Sequence, residues 1–305
     1  MAQLIKLENY ISRYEKDPFH YPGQFIRLKQ ENWKKLIQTW EFQKEAGLNN
    51  EIVGEKEGEQ ASMPKWRKIF QGKEDDLEPE DDSFALPKTK DDLKQYFLDT
   101  LLPFQLKWAS TTMNEMSFLD RIYYENLTLR YFLQRFPDTF LLLYNPVFQF
   151  KNASIDGEII LITPIGIDII TIIERPSSYK IIVGDDRTWY TEENAIQTKF
   201  LSPILSLKRT ETVIKSILAT MNQTIPFRKI VLSRTNVIEY KSEPYLTKII
   251  GVEQHQQWLK DQRELISPLK YNQLKIAEAI LQHCDTVSIQ RPEWERQEMD
   301  DFSAH

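Results

Sequence analysis

The chain has 305 residues, 41% hydrophobic and 28% charged, with a formal net charge of −6; that is long enough for one large domain with a sizeable core, or a core domain with an appended segment. The acid excess is local: residues 73–92 carry nine acids and three bases and 291–301 five acids and two bases, whereas 120–240 hold fourteen bases and thirteen acids. No stretch is basic enough to announce nucleic-acid binding on electrostatic grounds alone.

In chain order, residues 1–44 read as a helical N-terminal segment. Trp33, Leu36, Ile37 and Trp40 share one helical face, which either docks on the chain's own core or forms a stripe for a protein partner. Residues 45–92 are dense in Glu, Lys, Gly and Asp and read as an acidic, largely disordered linker. An island at 63–70 (MPKWRKIF) interrupts it as a docking helix or a linear recognition motif. Residues 93–285 read as the core domain. A helix is expected over 93–108 and another over 118–136, where Phe118, Ile122, Glu125, Leu129, Phe132 and Phe136 fall on one stripe. Glu125 is the only charge in that stripe. It is expected to point inward, as a hydrogen-bonded structural carboxylate or as a functional acid aimed at the hairpin described below.

Residues 139–150 read as strand, turn and strand, broken at Asn145-Pro146. After the central hairpin come strands at 179–183 and 188–190. Ser202 and Pro203 open a helix as N-cap and first helical residue, with Lys208, Glu211 and Lys215 on its solvated outer side. Strands at 229–232 and 247–252 and helices near 253–265 and 269–283 follow, and 286–305 reads as a loose acidic tail. The pattern is that of an α/β fold, a mixed β-sheet flanked by helices.

Cys284 is the only cysteine, so neither an intramolecular disulfide nor a cysteine metal site is available. The N-terminus has no apolar h-region. The longest apolar run, 159–173, contains Pro164, Gly166 and Asp168 and is too short to span a bilayer. A cytoplasmic protein without a membrane span is expected.

The central stretch, 155–174, reads IDGEIILITPIGIDIITIIE. Two β-branched runs flank Thr163-Pro164-Ile165-Gly166, whose Pro fixes φ and whose Gly permits φ > 0, so the stretch is a β-hairpin. Carboxylates interrupt the apolar pattern at Asp156, Glu158, Asp168 and Glu174. A buried acid needs a partner, a metal or a wet cleft. A two-residue loop sets Glu158 opposite Thr171. A three-residue loop sets Asp156 opposite Glu174, with Glu158 on the same face, and builds a cluster of acids.

Other chemistry is sparse. There is no G-x-G-x-x-G, P-loop or G-x-S-x-G motif. His20, His255, His283 and His305 have no metal-ligand spacing. His283 and Cys284 are neighbours on a helix and point apart. The hairpin carboxylates remain, and oxygen clusters of that kind hold Mg²⁺, the usual helper of phosphodiester cleavage.

The segment 120–221 resembles the nuclease-related domain (NERD) family of the PD-(D/E)xK nuclease-like superfamily, and residues 1–43 look like the front of such proteins from Gram-positive bacteria. The resemblance rests on order. A helix with Glu125 comes first, then a strand pair, a hairpin of the form acid-apolar-Thr-Pro-x-Gly-apolar, a strand near Trp189 and a Pro-initiated helix. It implies a restriction-endonuclease-like core and a nucleic-acid partner. The implied catalytic acids are Glu125 and Glu158, with Asp156 as alternate, and the candidate Mg²⁺ ligands are Asp156, Glu158 and Glu174. The family's E-x-K falls on Thr171 and Ile173, or on Glu174 and Pro176, so its lysine is missing. Only Arg175 or Lys180 could stand in. The expectation is a catalytically degenerate protein with a nucleic-acid-binding or scaffolding role. The alternatives are an active Mg²⁺-dependent endonuclease with a relocated lysine, and a structural or adaptor protein without a nucleic-acid role. Acids that converge with a cation in reach would favour the active endonuclease, Thr171 facing Glu158 would count against it, and an exposed basic strip beside the cleft would separate the binding role from the structural one.

Overall fold

The computed structural model of the chain describes residues 1–50, 86–150, 153–219, 221 and 225–292. Its elements are β1 (Gln3–Leu7), α1 (Arg13–Lys16), α2 (Tyr21–Asn50), α3 (Lys90–Trp108), β2 (Glu115–Met116), α4 (Ile122–Glu125), α5 (Leu127–Arg135), β3 (Leu141–Tyr144), β4 (Val147–Phe150) and β5 (Ala153–Asp156). They continue with β6 (Ile159–Thr163), β7 (Gly166–Ile172), β8 (Lys180–Ile182), β9 (Thr188–Glu193), β10 (Ile196–Leu201), α6 (Ile204–Leu218), β11 (Phe227–Leu232), β12 (Ile238–Glu239), β13 (Thr247–Ile250), α7 (Val252–Glu264), α8 (Tyr271–Leu281) and β14 (Ile289–Gln290).

Six strands form the central sheet in the order β1-β3-β6-β7-β11-β13. β6 is antiparallel to both its neighbours, and the pairs β1–β3, β7–β11 and β11–β13 are parallel. All strands but β6 therefore run one way, and their carboxyl ends gather along one edge. Helices α6 and α8 pack together on one face, over β6, β7 and β11. Helices α3, α5 and α7 cover the other, over β1, β3 and β13, and Trp258 of α7 meets Phe136 beyond α5 edge-on at 5.6 Å. The hairpin isoleucines are apolar on both sides because both sides are covered: Ile160, Ile162, Ile167, Ile169 and Ile170 are fully buried. Each contributes about 1.5–3 kcal/mol of burial. A smaller sheet, β10-β9-β8-β12, packs over the buried Trp189. The expected α/β fold with helices at the N-terminus is the observed one. Among the described residues no helix is long and apolar enough to cross a membrane.

Several boundaries differ from the sequence reading. The N-terminal segment is not all helical, because β1 is a strand of the central sheet. Its polar residues are buried but satisfied: Gln3 Nε2 donates to the Asp138 carbonyl at 2.7 Å, and Lys6 Nζ donates to Glu15 Oε1 at 2.5 Å. Helix α2 runs to Asn50, past the expected linker boundary, and the island at 63–70 lies outside the described residues. The stripe on α2 is used internally: the Trp33 ring lies 5.1 Å from that of Phe97, and Trp40 Nε1 donates to the Pro87 carbonyl at 2.6 Å. The expected helix over 118–136 is two helices. Asn126 leaves helical geometry at φ −66°, ψ 101° and caps α5 by accepting from Leu129 N. The apolar stripe restarts there, leaving Phe118 and Ile122 at 74% and 63% exposure. The tail also begins ordered, since β14 pairs with β2 and Val287 N donates to the Asn9 carbonyl at 2.8 Å; residues 293–305 lie outside the described residues.

Candidate functional site

The hairpin turn sets the register. Thr163 pairs with Gly166, so the loop holds two residues, Pro164 and Ile165. Thr163 Oγ1 donates to the Gly166 carbonyl at 2.9 Å and accepts from Ile165 N at 3.3 Å. Gly166 sits at φ 156°, and a Cβ there would lie 2.5 Å from the Pro226 carbonyl oxygen, so no side chain fits.

The ladder runs from Ile162–Ile167 to Ile159–Ile170, and its continuation sets Glu158 opposite Thr171. Thr171 Oγ1 donates to Glu158 Oε2 at 2.5 Å, and Glu158 N donates to Thr210 Oγ1 of α6 at 3.1 Å. Glu174 is three residues beyond Thr171, and side-chain alternation sends it to the opposite face of the sheet. There Arg234 Nε and Nη2 bind its two oxygens at 2.5 and 2.8 Å. Asp156 is exposed on β5, opposite Val147. The cluster of Asp156, Glu158 and Glu174 is therefore not assembled, because the sheet itself separates the two glutamates. These oxygens do not form the cage that Mg²⁺ requires, and among the described residues no group of three or more His, Cys, Asp or Glu is placed to hold a metal.

The remaining candidates are also dispersed. Glu125 is exposed at the end of α4 instead of aimed at the hairpin, because the break at Asn126 takes it out of the buried stripe. Lys180 is exposed on the smaller sheet and pairs with Glu239 at 2.9 Å. The Arg175 guanidinium lies 5.6 Å from the Phe200 ring centre. Neither cation reaches Glu158. Asp168 is fully buried near the amino edge, held by Arg228 Nε and Nη2 at 2.6 and 2.8 Å. The Cys284 thiol is pushed up to about 12 by burial, which removes its thiolate at neutral pH.

The structure does bring together a group at the carboxyl ends of the parallel strands, where open α/β sheets bind ligands. Glu174 follows β7, Arg234 follows β11, His255 stands in the first turn of α7 after β13, and Tyr131 projects from α5. The Arg234 guanidinium lies 4.8 Å from the Tyr131 ring centre, and its Nη2 is 3.4 Å from Thr128 Oγ1. Tyr131 Oη and His255 Nε2 share a hydrogen bond of 2.7 Å. Asn236 fixes the loop that carries Arg234 by accepting from Arg175 N at 2.8 Å and donating to the Pro176 and Tyr179 carbonyls at 3.0 and 2.9 Å.

The hydrogen bonds and charge of Arg234 hold the Glu174 carboxyl below the usual range. Burial, then the positive Arg234, lowers His255 below its ordinary value, so the imidazole is neutral at pH 7. Burial raises the Tyr131 phenol. A neutral imidazole bonded to a phenol beside a guanidinium can move protons and meet an anion without a metal. Sequence reasoning missed Tyr131, Arg234 and His255. The only local signal was Arg234 just past the buried strand ending Val231-Leu232.

No protein-family model matches the chain, and no solved structure matches it. The chain is similar to an RNA 2',3'-cyclic phosphodiesterase of Geobacillus stearothermophilus, with 38% identity over 113 residues, 34% of this chain and 36% of that protein. It thus spans about a third of that relative's length.

Proposed function

We propose that the chain is a cytoplasmic, nucleic-acid-binding protein of the nuclease-related (NERD) type whose metal-dependent cleavage site is degenerate, and that it binds or scaffolds instead of cutting. The observation that carries this reading is the Glu158–Thr171 pair. Magnesium-dependent phosphodiester cleavage needs convergent oxygens and a cation on the developing charge. Here Thr171 occupies the position of the second-strand acid, and Glu174 is turned away and neutralised by Arg234. The similarity to an RNA 2',3'-cyclic phosphodiesterase supports a partner that contains phosphodiesters. A protein partner on α2 would have to use its outer face, since Trp33 and Trp40 are engaged internally.

The purified protein is expected to bind RNA or DNA oligonucleotides with an affinity that falls steeply with salt. It is expected not to nick plasmid in Mg²⁺ or Mn²⁺, before or after Glu158→Ala. Nicking that disappears in that variant would overturn the degenerate reading, and failure to bind any nucleic acid would remove the nucleic-acid role.

The group at the carboxyl edge favours a second reading, metal-independent opening of a cyclic phosphodiester. Water would add to phosphorus while His255 takes its proton, the bond from phosphorus to one ribose oxygen would break as that oxygen takes the proton from His255, and Arg234 would donate to a phosphate oxygen from its pair with Glu174. Hydrolysis of a 2',3'-cyclic nucleotide in EDTA should then fall about a hundredfold or more in His255→Ala, the range expected for loss of a general base. Wild-type protein that leaves the cyclic nucleotide intact eliminates this reading.

A further inference from the structure

A second feature lies on the α6 side of the sheet, near the amino end of β11 and away from the carboxyl edge. The sequence suggests that Lys208, Glu211 and Lys215 form a plain solvated face, and the structure corrects that. Glu211 is 8% exposed and Lys229, on β11, 4%. Glu211 Oε2 takes Lys229 Nζ at 2.6 Å, and its Oε1 takes Lys215 Nζ at 2.7 Å. With both oxygens filled, this carboxylate offers little repulsion to an incoming anion. A groove of about 480 Å³ opens above it, walled by Lys208, Asp186 and Tyr245. Its three lysines outnumber its two acids. Lys208 and Asp186 pair at 2.7 Å, but both are well exposed, where such a pair is weak.

The far wall is unusual. Tyr245 is 86% exposed, so its ring is held out in water. The next residue, Leu246, stands at φ 50°, a left-handed conformation that is strained for a leucine. Backbone bonds hold the strain in place: Lys229 N donates to the Leu246 carbonyl at 3.1 Å, and Thr247 N to the Pro244 carbonyl at 3.0 Å. The loop is thus pinned to the same strand that carries the groove's buried lysine, and it presents an aromatic ring beside exposed ammonium groups. That is the combination that binds single strands: a π-face for any base and cations for the backbone.

We infer that this groove is a binding subsite for single-stranded nucleic acid, in which a base stacks on Tyr245 and the flanking phosphates meet Lys208 and Lys215. The inference rests on the nucleic-acid reading above and adds the surface, the strand state and the contacting residues.

The test is fluorescence anisotropy on the full chain with a labelled oligouridylate or oligothymidylate of about a dozen nucleotides. Tyr245→Ala should weaken binding about tenfold, and Tyr245→Phe should keep it, since stacking needs the ring and not the hydroxyl. Lys208→Gln with Lys215→Gln should flatten the slope of log affinity against log salt by about 1.4, the value for two lost single-strand phosphate contacts. Lys260→Gln, exposed on α7, serves as the distant control. If wild type binds but Tyr245→Ala and the double variant bind as tightly, the groove is not the site while the nucleic-acid reading stands. If wild type binds neither oligonucleotide, both fall. Tighter binding of the uracil strand than the thymine strand would assign the subsite to RNA, and equal binding would assign it to either sugar.

Discussion

Arg228→Ala is expected to lower the unfolding free energy by about 3 kcal/mol or more, with a deficit that grows as pH rises. Asp168 is fully buried in the central strand β7, directly across from Arg228 of β11. The arginine side chain is 41% exposed. Truncating it leaves a carboxylate with no counter-charge in a place that water does not reach, and removing one partner of a buried pair typically costs 3–5 kcal/mol. The lower end applies because part of the pair is wet. Asp168→Asn is the milder change, about 1 kcal/mol, because the released guanidinium can turn to solvent. Burial pushes the Asp168 carboxyl up, and Arg228 opposes that push. The folded-state value already lies above the unfolded one near 4, and without the arginine it rises further. The folded variant then holds a proton that the unfolded chain has released, so its stability falls as pH climbs from about 4 through the folded-state value. Urea midpoints of wild type and both variants at pH 5 and pH 8 measure this. A larger loss for Asp168→Asn, or a deficit independent of pH, would contradict the assignment.

A second buried charge predicts an effect as large. Lys6 on β1 is fully buried, and its ammonium donates to Glu15 Oε1 at 2.5 Å, the Tyr10 carbonyl at 2.8 Å and Thr286 Oγ1 at 2.9 Å. All three ammonium hydrogens have an acceptor. Glu15→Ala removes the only anion among them and should cost about 3–5 kcal/mol. Lys6→Met should cost less, because it keeps most of the volume and leaves Glu15 partly exposed with Thr286 still bonded to it at 3.2 Å. The double change Lys6→Met with Glu15→Leu should lie close to wild type, since apolar replacement of a whole buried pair is often neutral. Denaturant titration of the three variants checks the order, and a double variant less stable than Glu15→Ala would refute it.

These two pairs mark the limit of what could be read from the chain. The hairpin was legible because β-branched runs and a Pro-Ile-Gly turn act locally, and the two-residue register was one of the two available. Strand β1 was not legible. QLIKL carries a glutamine and a lysine at positions that would normally face water, and partners outside the strand, Asp138 for Gln3 and Tyr10, Glu15 and Thr286 for Lys6, make their burial tolerable. The helix over 118–136 was misread for a local reason: Asn126 preferred to cap, and a 3.6-residue stripe continues in the sequence across a break that the backbone does not cross as helix. Glu211 was misread because Lys229, the residue that draws it inward, lies 18 positions away. The carboxyl-edge group had no sequence spacing at all. Tyr131, Glu174, Arg234 and His255 meet because three parallel strands end together, which is a property of topology and not of any segment.

The pairing of β1 with β3 also has a consequence for synthesis. Gln3 finds its partner at Leu141. A ribosome adds about 5–20 residues per second, so the first strand waits on the order of ten seconds before its neighbour exists. During that interval Leu4, Ile5 and Leu7 have no sheet to join, and Lys6 lacks Thr286 for longer still, since the two lie 280 positions apart. Strand β1 is thus made well before it is secured. Its fate while waiting, on helices already made or on a chaperone, bears on yield separately from the stability of the finished fold.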